Sequence, residues 1–234
     1  MFNKEFISVL SQINGLTNSI VLKYPRTVAV TEAQDILIHL DVSKVDTTEF
    51  PEIGLNNSLN EFLSLFKLFG PDRKVSLDGS NIVISDGNIT SSYITDNIQL
   101  LENYNKDATQ FDRTEEIPSV AEFTLTTDDI SKIKSASGVF KDLSEVIVTS
   151  KDSDVTISLG ATNKFNAKSN TFSISKEAST SKDFSVKIDI KSFTMIPSSN
   201  YTVKVKYNSS RDAYRLLLVS ESLEGFKLIM SVKI

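Results

Sequence analysis

The chain has 234 residues, a formal net charge of -5 and no cysteine, with 40% hydrophobic residues. The missing cysteine excludes disulfides, thiolate metal sites and a Cys nucleophile. Composition is that of an ordinary folded protein rather than a disordered one, and the acidic balance argues against a simple nucleic-acid binder without excluding basic residues gathered on one surface.

The opening Met1-Phe2-Asn3-Lys4-Glu5 carries charges where a signal peptide has its apolar core. No apolar run reaches the roughly 20 residues of a membrane span. Both observations point to a cytoplasmic protein with no membrane partner.

Residues 2 to 14 read as a helix with Phe2, Phe6, Val9, Leu10 and Ile13 on one face and Lys4, Ser8 and Ser11 on the other, ended by Gly15. Ile20-Tyr24, Thr27-Val30 and Asp35-Val42 read as strands. The next clear signal is Ser58-Leu59-Asn60-Glu61, with the spacing of a capping box. Leu59, Phe62, Leu63, Phe66 and Phe69 then form one buried stripe, and Gly70-Pro71 stops the helix. Alternating runs at Val75-Leu77, Ile82-Ile84 and Ile89-Tyr93 follow, with turns predicted at Asp78-Gly79 and Asp86-Gly87.

Residues 96 to 118 show no steady periodicity and read as a connector, ending at Glu115-Glu116-Ile117-Pro118. The second half opens with a strand at Val120-Leu125. Thr126-Thr127-Asp128-Asp129 suits a helix N-terminus, and Ile130, Ile133, Ser137 and Phe140 form the inner stripe. Strands follow at Glu145-Ser150, Val155-Leu159, Thr171-Lys176 and Phe184-Ile188, separated by polar loops at 163–170 and 177–182. A short helix at Ile190-Ile196 stops at Pro197. Tyr201-Tyr207, Tyr214-Val219 and Phe226-Ile234 close the chain, the last with a period of two.

A helix followed by a three-strand meander thus closes both halves. The chain reads as a duplicated α+β domain, with a first domain at 1–98, a connector at 99–118 and a second domain at 119–234.

Catalytic chemistry is not visible. The single His39 sits inside the apolar run Ile36-Leu37-Ile38-His39-Leu40 and reads as a strand residue without a partner. There is no Walker loop, G-x-S-x-G, H-E-x-x-H or Gly-rich dinucleotide turn. The Asp-Gly pairs lack calcium-loop spacing. Asp128-Asp129 and Glu115-Glu116 suit capping and solvation better than paired catalytic acids. The expectation is a protein that is not an enzyme and needs no cofactor or metal.

The order and spacing of these elements resemble the DNA sliding clamps, above all the proliferating-cell-antigen type and the processivity factors of tailed phages. The anchors are Leu59-Asn60-Glu61-Phe62-Leu63-Ser64-Leu65-Phe66-Lys67, Val75-Ser76-Leu77-Asp78-Gly79 and Asn81-Ile82-Val83-Ile84. Weaker anchors are Ile130 to Leu143 with Val146-Ile147-Val148, and Gly225-Phe226-Lys227-Leu228 through Val232-Lys233-Ile234. The resemblance covers essentially the whole chain. It implies a clamp fold, helices inside and sheets outside a homotrimeric ring around duplex DNA. It also implies an ATP-driven clamp loader and a tethered DNA polymerase as partners.

Residue by residue, the resemblance implies three surfaces. Lys4, Lys67, Lys132, Lys134, Lys141 and Lys191 would face DNA phosphates. Ile117, Pro118, Tyr214, Ile229, Met230 and Val232 would form a pocket for a partner peptide, with Ile229 favoured because it lies opposite the core face. Edge strands at Asn88-Thr95 and Thr171-Lys176 would pair between subunits, through Asn88, Thr90, Ser92, Thr171, Ser173 and Ser175. The competing reading is a β-rich structural protein of a virion, such as a tail or baseplate component.

Overall fold

The computed structural model describes residues 2–70, 72–101, 108–151, 154–160 and 171–234. The expectations that fall on Pro71, on residues 102–107 of the connector and on 163–170 lie outside them. The chain forms two compact units: the residues up to Ala108 with Glu224–Phe226, and Thr109–Leu223 with Lys227–Ile234.

The first unit is built around aromatic rings brought together by helical spacing. Helix α1 spans Lys4–Ile13 and buries Phe6, Val9, Leu10 and Ile13. Its N-cap is Asn3, whose side-chain oxygen accepts the Phe6 N–H at 2.8 Å. Helix α3 spans Leu59–Phe66 and buries Leu59, Phe62, Leu63 and Phe66. Phe62 and Phe66 share a face of α3 because i and i+4 do, and Phe2, which precedes the Asn3 cap, folds back onto Phe6 and both of them. Ring centroids lie 5.4 Å apart for Phe2–Phe6, 5.8 Å for Phe2–Phe62 and 4.9 Å for Phe62–Phe66. Phe50 and Tyr93 complete the cluster at 5.3 Å from Phe2 and 5.5 Å from Phe62.

The strands of this unit are short. Strand β1 (Ile20–Leu22) pairs with β4 (Ile53–Leu55), and β2 (Arg26–Val30) pairs with β3 (Ile36–Asp41). His39 lies buried in β3 opposite Val28. The strand predicted to run through Val42 ends at Asp41, and Val42–Val45 forms a helical turn, α2. After α3, strands β5 (Lys74–Asp78), β6 (Asn81–Ser85) and β7 (Thr90–Ile94) form an antiparallel meander. Gly79 and Gly87 have φ of 61° and 94°, the left-handed backbone that glycine accepts without strain.

The capping box predicted at Ser58 does not form. The Ser58 hydroxyl donates to the Asp96 carboxylate at 3.1 Å instead. The first turn of α3 is capped from a distance: Asn18 O accepts the Leu59 N–H and Asn18 Oδ1 accepts the Asn60 N–H.

The second unit repeats the plan with different fastenings. Helix α4 (Ala108–Glu116) precedes strand β8 (Ser119–Leu125) and helix α5 (Thr127–Val139). Here the capping box does form, with the Thr126 hydroxyl and Asp129 carboxylate exchanging bonds with each other's backbone. Strands β9 (Glu145–Lys151), β10 (Asp154–Gly160), β11 (Ser173–Glu177) and β13 (Phe184–Asp189) form one sheet in the order β11-β10-β9-β13. The two-residue β12 (Ser179–Thr180) pairs with β8. Helix α6 (Ile190–Met195) leads into the meander of β14 (Tyr201–Asn208), β15 (Ala213–Ser220) and β16 (Phe226–Ser231). These three continue the row β12-β8-β14-β15-β16.

Candidate nucleic-acid and partner surfaces

Each unit presents a helical wet face. In the first, α1 and α3 expose Lys4, Glu5, Ser8, Ser11, Asn60, Glu61, Ser64 and the C-cap Lys67. Lysines and acids of comparable number interleave there with hydroxyls and amides, so the face is weakly charged. In the second, Lys132, Lys141 and Lys191 are exposed. Lys132 lies 2.6 Å from Asp128 one turn earlier, and this hydrogen-bonded carboxylate raises its pKa.

Lys134 departs from the expectation. Its Nζ donates to the Ile196 carbonyl at 2.6 Å, and burial lowers its pKa. The side chain is committed to fastening α5 to the end of α6, so it does not stand among the exposed lysines. Its position beside the apolar stripe drew it inward.

The two strands expected at subunit edges lie at the edges of their sheets: β7 pairs only with β6 in its meander, and β11 ends the order β11-β10-β9-β13. Thr90, Ser92, Ser173 and Ser175 lie on them and are exposed. Asn88 sits in the preceding turn, where its N–H is held by the Asp86 carboxylate at 3.1 Å, and Thr171 precedes β11. Strand β7 is shifted by one residue from the alternating run Ile89-Tyr93, and β11 is one residue shorter than the run Thr171-Lys176.

The six residues expected in a partner pocket do not share one face. Met230 pairs with Leu216 on the core side of the meander and is fully buried. Tyr214 has the same parity, its ring 6.0 Å from that of buried Phe184. Val232 follows Met230 by two. Ile229 faces the other way, opposite Leu217, yet is only 3% exposed. It is therefore covered, not open. Ile117 and Pro118 follow α4, and their carbonyls accept bonds from the Lys206 ammonium and the Tyr207 N–H. A polar cleft of about 820 Å³ runs along β8 and β12, and its described lining includes none of the six.

No family profile and no curated sequence matches the chain. Solved structures do. The proliferating cellular nuclear antigen of Entamoeba histolytica matches with a TM-score of 0.69 at 12% identity, over 98% of this chain and 95% of that one. The A. fulgidus PCNA bound to the C-terminal region of FEN-1 matches with a TM-score of 0.68 at 13% identity, over 97% and 94%. The β chain of DNA polymerase III from Streptococcus pneumoniae matches at 0.66 and 14% identity, over 97% of this chain and 63% of that one. This chain thus spans less than two thirds of that β chain's length.

The fold is that of the DNA sliding clamps.

On this clamp fold, the ordered residues that the sequence did not signal belong to the segment before β8. Residues 108–116 read as irregular connector in the sequence, yet they form α4, with Phe111 fully buried and Thr114 nearly so. Lys206 is 7% exposed, and its Nζ donates to the carbonyls of Glu115 and Ile117 at 2.8 Å each. Burial, reinforced by neighbouring Lys204, lowers the Lys206 pKa. An ammonium on the last carbonyls of a helix satisfies acceptors that have no partner within the helix and complements its dipole. Lys227 pairs with the Glu115 carboxylate at 2.6 Å and lies 5.9 Å from the Phe111 ring centroid. The one sequence signal was Phe111, a large apolar residue in a polar stretch.

Proposed function

We propose that the protein is a sliding clamp: a non-enzymatic ring that encircles duplex DNA without reading its sequence and tethers a DNA polymerase to it. The observation that supports this best is the likeness to proliferating-cell antigens from one end of the chain to the other, across both units. In this reading three copies join head to tail. The edge strand β7 of one copy pairs with β11 of the next, a heterologous contact that closes on itself. A clamp-loading ATPase opens the ring, and the partner is a replicative polymerase of the same system, as in the tailed phages.

Lys4, Lys67, Lys132, Lys141 and Lys191 then meet phosphates from helices lining the bore. A flexible point charge attracts phosphates without fixing register, which suits sliding. The interleaved Glu5, Glu61 and Asp128 keep each contact weak, so linkage around DNA, rather than affinity, retains the ring.

The test is a polymerase run-length assay with the cognate loader, alongside sizing by light scattering. Lys67→Glu combined with Lys132→Glu is expected to slow loading and shorten runs, increasingly so as salt screens the remaining attraction. The trimer is expected to persist, because neither residue lies on an edge strand. Proline scanned along β7 and β11, beginning at Ser92 and Ser173, is expected to break the ring. A wild-type chain that is monomeric, or forms large polymers, overturns the reading and favours a virion structural role.

A further inference from the structure

Strand β11 is lightly held. Among the described residues it is bonded on one side only, to β10, from Ser173 opposite Ser158 to Glu177 opposite Asp154. Alternate residues share a face. Ser173, Ser175 and Glu177 are exposed, and Ile174 and Lys176 on the inner side are half-buried. By contrast, β10 buries Val155, Ile157 and Leu159, and β9 buries Val146 and Val148. A strand with one ladder and no fully buried side chain is the kind of element that opens locally.

One charged contact supplies what the inner face lacks. The Lys176 ammonium donates to Asp129 Oδ2 on α5. The two side chains are 19% and 9% exposed, so salt screens this pair less than a surface pair. The same oxygen accepts the Thr126 N–H at 2.8 Å and the Thr126 hydroxyl at 2.7 Å. The Asp129 N–H returns to the Thr126 hydroxyl oxygen at 3.2 Å. Three donors thus meet on one carboxylate oxygen: two belong to the box that starts α5, and the third comes from the edge strand. Side chains stand perpendicular to the ladder, so this contact does not block the outer N–H and C=O groups of β11.

The start of α5 is also fixed from elsewhere. Asn200 Oδ1 accepts the Thr127 N–H at 2.8 Å and the Thr127 hydroxyl at 3.1 Å, and the Asn200 carbonyl accepts the Glu221 N–H at 2.9 Å. The first turn of α5 is therefore an anchor from which Lys176 sets the position of β11. Asp128, in that same turn, bonds the exposed Lys132 at 2.6 Å. A displacement of β11 reaches the wet face of α5 through this one turn.

We propose that Lys176 and Asp129 are positioning residues for subunit pairing: they hold β11 in the geometry that an incoming edge strand of a second copy meets, and they couple that pairing to the first turn of α5. Pairing at the outer edge steadies β11, and with it the Lys176–Asp129 contact and the capping box. Coupling is reciprocal, so whatever steadies the start of α5, such as phosphate on Lys132, favours the paired edge. The proposal deepens the clamp reading and rests on it for the strand that pairs with β11.

The test uses the full chain without DNA, polymerase or loader. Light scattering over a dilution series gives the assembled fraction, and hydrogen exchange on the same samples gives the protection of the Asp129 and Ile130 amides. In wild type these amides should exchange at least about fivefold more slowly in the assembled than in the dissociated chain, the low end of ordinary coupling between sites. Lys176→Met keeps the stem and loses the charge. It should raise the concentration of half-assembly at least about tenfold, and the two amides should no longer follow assembly. Lys176→Arg keeps a charged donor and should recover most of both. The wild-type measurement needs no substitution, so it decides even where a variant unfolds. The proposal is overturned if wild-type exchange at these amides is the same in both states, if folded Lys176→Met assembles like wild type, or if Lys176→Arg is no better than Lys176→Met. A wild-type chain that never assembles overturns the clamp reading and this proposal with it; assembly without coupling overturns this proposal alone.

Discussion

The two units reach one plan by different physical means. In the first, the helices are sealed by rings, with Phe2, Phe6, Phe50, Phe62, Phe66 and Tyr93 in mutual contact. In the second, charged side chains do the fastening: Lys134 on the Ile196 carbonyl, Lys206 on the end of α4, and Asp129 between Thr126 and Lys176. Aromatic burial is non-directional and tolerates repacking. A charge on a carbonyl is directional and fails when one partner is removed. One unit should therefore respond to lost volume and the other to lost charge or changed pH.

The sharpest break in this contrast is Phe62→Ala. It removes the ring that touches Phe2, Phe66 and Tyr93 and should destabilise the first unit by about 3–5 kcal/mol. Urea unfolding followed by hydrogen exchange should show that unit opening first. A loss confined to a few tenths of a kcal/mol would mean that the cluster does not hold it.

Asp129→Asn should cost the second unit about 1.5–3 kcal/mol at pH 7, since the bonds it weakens involve charged groups. Burial raises the Asp129 pKa, but Lys176 and the Thr126 donors outweigh burial and leave it lowered. The sign follows: a depressed carboxylate contributes stability above its ordinary value of 3.8, lost as pH falls through the lower folded value. The substitution should flatten the acid limb of the stability curve between those two values. An unchanged acid limb would remove Asp129 from the comparison.

Lys134→Met should have a smaller effect, about 1 kcal/mol, because the lost bond to Ile196 is partly offset by easier burial of an apolar chain. Burial lowers the Lys134 pKa from 10.5. Between the folded value and 10.5 the unfolded chain binds more protons, so wild type gains stability as pH rises through that window. The methionine variant should lack that share of the gain in alkaline melts.

Lys132→Gln should change least. Its pair with Asp128 is exposed, and melting temperature should not shift measurably. That makes it a clean probe of DNA contact, since any loss of run length could not be assigned to misfolding.

Much of this molecule was legible in its sequence. Period-two runs located the meanders, and the stripes on α1 and α3 named the residues that became buried, while on α5 only Ile130 and Ile133 of the expected stripe did, Ala136 taking the place of Ser137 and Phe140. The helix start at Thr126–Asp129 was legible because the capping hydroxyl and the acids lie within one turn, and the structure closes them into a box. The Ser58 box was misread for the converse reason: Asp96 draws the serine away and Asn18, 42 residues from Asn60, supplies the cap. Proximity along the chain can nominate a hydrogen bond but cannot exclude a competitor brought close by folding.

By itself the sequence determined most of the strands and helices and the core they share, because periodic burial is written in neighbouring residues. Tertiary structure alone decided that residues 108–116 form a helix and that its end is fastened to the last meander. Helix α4 carries one large apolar anchor, too few for a periodic signal, and it is fastened by lysines 91 and 112 residues further along. Lys134 turned inward and Ile229 became covered for the same reason: each was settled by a partner from another element, which local pattern does not encode.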